Sequence, residues 1–191
     1  MADYAIVVDL ETTGLNGELD KIIEIGAIKF NLGSGEVVDQ FQSFSNPSTH
    51  DLLGEGQFLS LDPVVVEITG ITDEMLVGAP SNKEVVNSFF EFAQDLEIWA
   101  YNSSFDSKFL NCHTPIHRQL QDVLVIARKA FPNLVNHRLG TVATHLNLSI
   151  DGAHRAIVDC IMAKEVLLHG LRKVNAQKSF IEKLKLNKRA R

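Results

Sequence analysis

The sequence predicts an α/β domain with a mixed sheet and helices on both faces. Three observations carry that reading. Residues 5–8 are a strand-friendly apolar run ahead of Asp9, and residues 21–30 and 36–44 alternate apolar and polar side chains well enough to be strands. The NLGSG between the second and third runs is a tight connection, so the three strands form an antiparallel meander. From residue 81 onward, helical patterns alternate with short strand-like runs, which places helices against a sheet that is no longer purely antiparallel.

The opening stretch, AIVVDLETTG, runs from apolar residues straight into Asp9 and Glu11 and breaks at Gly14. Residues two apart share one face of a strand, so these two carboxylates sit side by side at the end of a buried element. Like charges held that close are costly unless a cation lies between them. The other reading is a strand that ends in solvated acids. Leu15–Asp20 is a polar turn with Gly14 and Gly17 as breakers, and Lys21–Phe30 and Glu36–Phe44 are the next strands. Asn46–Leu61 is a loop rich in Pro, Ser, Gly and acids; its length suits either an excursion near a site or partner, or a passive insertion.

Ser81 and Glu84 form a capping box ahead of Val85, Phe89, Phe92 and Leu96, the spacing of a helix with one buried face. A short strand is expected over Glu97–Tyr101. Helices follow over Ser103–Cys112, Asp122–Phe131 and Arg138–Leu146, then a turn at Asp151-Gly152 and a long apolar helix over Arg155–Gly170.

Two acids in this second half need an explanation. Asp106 lies among Phe105, Phe109 and Leu110; Ser103-x-x-Asp106 resembles a capping box, yet the preceding strand IWAY would deliver this helix start to the sheet edge that carries Asp9. Asp159 lies in AIVDCIMAKEVLL, on the face shared with Met162, Ala163 and Val166. An ionised carboxylate is rarely buried without a partner, and Arg155 is the only basic residue locally in reach. A bound metal explains Asp159 better than a structural ion pair does. His154 precedes it by five residues and can lean over such a site only from the loop before the helix.

Composition excludes several classes. The 191 residues, 45% hydrophobic and 22% charged, suit one soluble domain with a sizeable core. No apolar run approaches a membrane span, and the N-terminus lacks the basic region of a secretion signal. Two cysteines, Cys112 and Cys160, stand far apart without metal-type spacing, which implies a reduced, cytoplasmic setting. The net charge of −6 hides an asymmetry: Arg172–Arg191 holds eight Lys or Arg against one acid, and the rest is acidic. That basic tail serves either as an arm for phosphates or a partner, or as a solvated end.

In order and spacing, VVDLETTG, YNSSFDSKFL and HRAIVD resemble the three motifs of the DEDDh (DnaQ-like) 3′→5′ exonucleases. ITGITDEML, QDVLVIAR and HRLGTVATHLNL also look like the family's linking segments, so the resemblance covers roughly residues 4–169. It implies a ribonuclease H-like, mixed five-stranded sheet flanked by helices, with residues 1–170 as the exonuclease domain and 171–191 as a basic C-terminal tail or helix. It implies further that Asp9, Glu11, Asp106 and Asp159 hold two divalent cations, Mg²⁺ or Mn²⁺, which the all-oxygen donor set suits. Two such ions about 3.5–4 Å apart activate water and stabilise the leaving 3′ oxygen of a phosphodiester, with His154 as general base. The product is a nucleoside 5′-monophosphate from a nucleic-acid 3′ end, with single-stranded DNA favoured over RNA.

By the same resemblance Thr12, Thr13 and Leu15 grip the terminal nucleotide, and Asn102 and Phe105 line the substrate groove. Where relatives often carry His, this chain has Tyr101, expected to tune substrate contact or stack on a base. ITGITDEML leans toward the proofreading subunit or domain of bacterial replicative DNA polymerase III, and Phe180, Ile181, Leu184 and Leu186 give the tail an amphipathic pattern compatible with docking on a polymerase. Three alternatives stand beside this reading: an RNA-trimming or free-standing repair exonuclease, a non-catalytic polymerase-binding module of the same fold, and a phosphatase with an Asp nucleophile. The Asp-x-Glu of the first motif disfavours the last.

Overall fold

The computed structural model describes residues 3–47, 60–114 and 118–189, with side chains as far as Gln177. Most of the Asn46–Leu61 loop and the side chains of Phe180, Ile181, Leu184 and Leu186 lie outside the described residues. Strands β1 (Tyr4–Thr12), β2 (Ile22–Asn31) and β3 (Val37–Phe44) form the expected antiparallel meander. Strand β4 (Glu97–Ala100) adds to β1 in parallel, and the two-residue β5 (Gln121–Asp122) adds to β4, giving one mixed sheet in the order β3-β2-β1-β4-β5.

The two faces of β1 separate cleanly. Ile6, Val8 and Leu10 pack into one core with helices α3 (Asn82–Ala93) and α4 (Ser103–His113). Ala5 and Val7 pack into the opposite core with α5 (Val123–Ala130), α6 (Leu139–His145) and α7 (Ala156–Arg189). Strand alternation therefore places Asp9 and Glu11, the next residues of the Ala5–Val7 row, on the side covered by α7.

Among the described residues between β3 and α3 lie two helices that the apolar pattern did not announce, α1 (Pro63–Thr69) and α2 (Asp73–Leu76). Local chemistry makes them: Asp62 accepts the Val64 N–H at 2.8 Å, Pro63 opens the first turn, and Gly70 closes it in the left-handed region at φ 68°. They cover a small third cluster of Ile23, Leu61, Ile71 and Leu76. The Ser81–Glu84 capping box forms as expected, but α3 ends at Ala93, so Leu96 packs from the following turn. The long last helix starts at Ala156 and its backbone continues through Gly170 to Arg189.

The Ser103–Asp106 capping box does not form. Asn102, in the left-handed region at φ 67°, is the residue that caps α4, and Ser103 is already its first helical residue. Asp106 is thus the fourth helical residue, still in the first turn of α4 but one position beyond the acid of a capping box.

Candidate active site

The carboxylates of Asp9, Glu11 and Asp159 converge, with one oxygen from each lying within 4.8 Å of the others. Strand β1 supplies the first two from adjacent positions on one face, and the first turn of α7 supplies the third. Gly26 makes the approach of that helix possible. It stands opposite Asp9 on β2, and its carbonyl accepts the Cys160 thiol at 3.2 Å.

Asp106, 2% exposed at the start of α4, lies outside that 4.8 Å set but close enough for its charge to be felt by Asp9. Its charge is among the neighbours that raise the Asp9 carboxyl, after burial itself and ahead of Asp159, Glu11 and Glu24. Burial and neighbouring acids push Glu11 to about 8, and burial likewise raises Asp106 and Asp159. No Lys or Arg among the described residues forms an ion pair with any of these four. Four carboxyls pushed toward protonation, with no ion-pair partner among the described residues and only the Arg155 charge nearby to offset Glu11, are the electrostatics expected of an oxygen-lined site for divalent metal.

His154 lies in the loop before α7, as its spacing to Asp159 demands. It is exposed, its backbone sits in the left-handed region at φ 66°, and its N–H donates to Asp159 Oδ2 at 3.1 Å. A charged His154 would also favour the ionised form of Asp159.

Arg155 does not pair with Asp159. It forms a forked ion pair with Glu24, Nη2 to Oε1 at 2.9 Å and Nε to Oε2 at 3.2 Å. Glu24 is fully buried near the start of β2, directly across from Glu11. Sequence reasoning passed over it, although the signal was there: an acid inside the apolar run IIEIGAI is as anomalous as Asp159 inside its helix. Burial alone would raise the Glu24 carboxyl, but hydrogen bonds from Arg155, Gln42 and Ala156 bring it below its ordinary value.

Of the remaining candidates, Thr12, Thr13, Tyr101 and Phe105 have partners outside the Glu24–Arg155 ion pair. The Thr12 hydroxyl donates to the Gly14 carbonyl at 2.6 Å, and Thr13 Oγ1 accepts the Lys21 N–H at 2.9 Å. Both hydroxyls are therefore engaged in shaping the turn. Leu15 projects from that turn 84% exposed. Phe105 is half-buried and packs on Phe109 with centroids 4.9 Å apart, while Asn102 is exposed at the head of α4. The Tyr101 hydroxyl donates to the His137 carbonyl at 2.7 Å and its ring packs against the second core, so it braces the α5–α6 connection. Tyr101 and Asn102 line one end of a groove of about 670 Å³ with Arg128, His137 and Arg138.

The chain is 38% identical over 160 residues to the PolC-type DNA polymerase III of Bacillus cereus, covering 81% of this chain and 10% of that protein. It is 32% identical over 192 residues to the PolC-type DNA polymerase III of Clostridium perfringens, covering 98% of this chain and 12% of that one. The chain thus spans about a tenth of the length of these curated relatives. Among solved structures, the nuclease domain of 3′hExo, a DEDDh family member bound to rAMP, superposes with a TM-score of 0.73 at 20% identity, over 90% of this chain and 92% of that one. With residues 6–167 matching the RNase_T exonuclease family model, this chain belongs to that exonuclease family.

Proposed function

We propose that this chain is a metal-dependent 3′→5′ exonuclease that releases nucleoside 5′-monophosphates from nucleic-acid 3′ ends, in the manner of a DNA-proofreading domain. The observation that carries the proposal is the convergence of Asp9, Glu11 and Asp159 within 4.8 Å, without an ion-pair partner among the described residues. The donor set fits the metal: every candidate ligand is a hard carboxylate oxygen, and burial leaves the carboxyls short of positive charge.

In this reading Asp9, Glu11, Asp106 and Asp159 would hold two Mg²⁺ or Mn²⁺ ions. Those ions, when bound, supply positive charge that activates a water and stabilises the departing 3′ oxygen. His154 takes the proton from the attacking water, and its exposed position at the rim lets it pass that proton on to solvent. Its backbone bond to Asp159 ties the base to the ligand, so the two keep a fixed relation. Leu15 offers an apolar edge on which the terminal base can lodge, and the turn hydroxyls of Thr12 and Thr13 keep that edge in place. Asn102 and Phe105 border the strand's path along α4, with Tyr101 bracing its floor.

We assign residues 1–170 to the nuclease domain and 171–191 to a basic segment suited to a polymerase or to phosphates. The similarity to PolC-type polymerases favours DNA as substrate and a polymerase as partner. No helix among the described residues is long and apolar enough to cross a membrane.

The deciding experiment digests 3′-labelled single-stranded DNA, mismatched duplex and RNA side by side, with Mn²⁺ and with EDTA. Metal-dependent release of mononucleotides, fastest from single-stranded DNA or the mismatched end, is expected. Faster release from RNA makes the chain an RNA-trimming enzyme. No release from any substrate leaves the non-catalytic binding module as the reading.

A further inference from the structure

Glu24 differs from the four candidate ligands in that its carboxylate is already full. Oε1 accepts from Arg155 Nη2 at 2.9 Å and Gln42 Nε2 at 2.7 Å; Oε2 accepts from Arg155 Nε at 3.2 Å and the Ala156 N–H at 3.1 Å. Four donors use the acceptor capacity of an ionised carboxylate, so no lone pair remains for a cation. The donors come from three elements: the neighbouring strand β3, the loop residue after His154, and the first residue of α7.

We infer that Glu24 and Arg155 form a positioning clamp, which fixes the first turn of α7 and thereby sets His154 and Asp159 against Asp9 and Glu11. The inference rests on the exonuclease reading for what the clamp is for, but its geometry stands apart from it. Glu24 caps α7 from another strand, satisfying the Ala156 N–H that the helix itself leaves unpaired. The Arg155 fork holds the chain immediately after His154. On the other side, the His154 N–H is held by Asp159. The left-handed conformation of His154 is uncommon for a residue with a Cβ and persists only where its surroundings impose it; these bonds on both sides do so.

A clamp and a simple charge effect make opposite predictions. Glu24 is one more negative charge beside Glu11 and Asp159, and Arg155 offsets it. If only charge mattered, Arg155→Met would make the site more negative and tighten cation binding. If the fork positions the ligands, the same change loosens Asp159 and weakens binding. Arg155→Lys keeps the charge but cannot make two parallel bonds, so it also weakens binding under the clamp and leaves it unchanged under the charge effect.

The test measures Mn²⁺ affinity by calorimetry, together with kcat and KM on a 3′-labelled oligonucleotide, for the full chain and for Glu24→Gln, Arg155→Lys, Arg155→Met and the Glu24→Gln/Arg155→Met double variant. Circular dichroism and thermal unfolding in EDTA establish the folded fraction, to which every value is normalised. Each single variant is expected to lose about 10–100-fold in Mn²⁺ affinity or in kcat, the scale for groups that orient metal ligands, with KM for the oligonucleotide unchanged. The double variant is expected to lose no more than the worse single, because both changes remove one shared interaction. Wild-type Mn²⁺ affinity and kcat in folded Arg155→Lys, tighter Mn²⁺ binding in Arg155→Met, or losses that multiply in the double variant each overturn the clamp. Should Arg155→Met fail to fold, Arg155→Lys and Glu24→Gln decide. If the wild-type chain releases no mononucleotide, the exonuclease reading fails while the Mn²⁺ isotherms still decide the clamp.

Discussion

Gly26 faces Asp9 across the β1–β2 register, and it is also the point where the start of α7 rests on the sheet. A Cβ at Gly26 would fall 2.6 Å from the Ala156 carbonyl carbon and 2.7 Å from the Ile157 nitrogen. Both are backbone atoms, so no side chain can swing away to make room; the helix itself has to lift. Gly26→Ala is therefore expected to destabilise the fold by about 1–3 kcal/mol, the usual scale of overpacking. Because the lifted helix carries Asp159, Mn²⁺ affinity should fall with it. Urea unfolding and calorimetry measure the two effects, and wild-type values in both would show that the contact relaxes without consequence.

The four candidate ligands disagree with the metal-free fold in a way that can be read directly. Burial, with neighbouring acids, raises their carboxyls, so each negative charge there works against folding until a cation arrives. Asp159→Asn removes one such acid but keeps an acceptor for the His154 N–H. Its melting temperature in EDTA is expected to match or exceed that of the wild type. The rise in melting temperature on adding Mn²⁺ should be lost, and mononucleotide release should disappear; Asp9→Ala should behave alike in cleavage. Degradation by either variant at the wild-type rate would sink the metal-site assignment.

What made the site legible was misfit between residue and surroundings. Asp159 stood out in the sequence because its helix is apolar nearly all round, and the structure leaves it 8% exposed among Met162, Ala163 and Val166. Asp9 and Glu11 stood out because a strand places alternate residues together. Glu24 carries the same kind of misfit, but its partner Arg155 lies 131 residues away and contact across that separation has no local pattern. The helices over Pro63–Thr69 and Asp73–Leu76 escaped for another reason: they are too short for periodicity, and only their caps betray them. The bond from the Tyr101 hydroxyl to the His137 carbonyl is likewise one that no sequence pattern announces.

Protons and metal should compete for Glu11. Its carboxyl titrates at about 8 in the folded chain against an ordinary value of 4.5, with burial the largest cause and Asp159 and Glu24 adding to it. Between those values the folded state holds a proton that the unfolded chain has released, so stability falls as pH rises through that window. The melting temperature in EDTA should accordingly fall more from pH 5.5 to 8 for the wild type than for Glu11→Gln. Mn²⁺ affinity should rise over the same range, since binding must displace the proton. Parallel profiles for the two proteins would remove Glu11 from the linkage.

Substitution of the His154 side chain separates the base from the ligands. His154 holds Asp159 through its backbone N–H, so a side-chain change leaves that bond available, and Mn²⁺ affinity should stay within a few-fold of the wild type. The left-handed backbone at φ 66° complicates the usual alanine substitution, because a Cβ resists that conformation and alanine has no polar group to offset it. Asn tolerates the left-handed region well and cannot serve as a base at neutral pH, so His154→Asn is the cleaner probe beside His154→Ala. Both are expected to lower kcat about 10²–10⁴-fold, the scale of general-base loss, with KM for a 3′-labelled oligonucleotide little changed. A fall in kcat for Ala that Asn fully restores would assign His154 to backbone geometry rather than proton transfer. A fall common to both, with Mn²⁺ binding intact, places the imidazole in the chemical step.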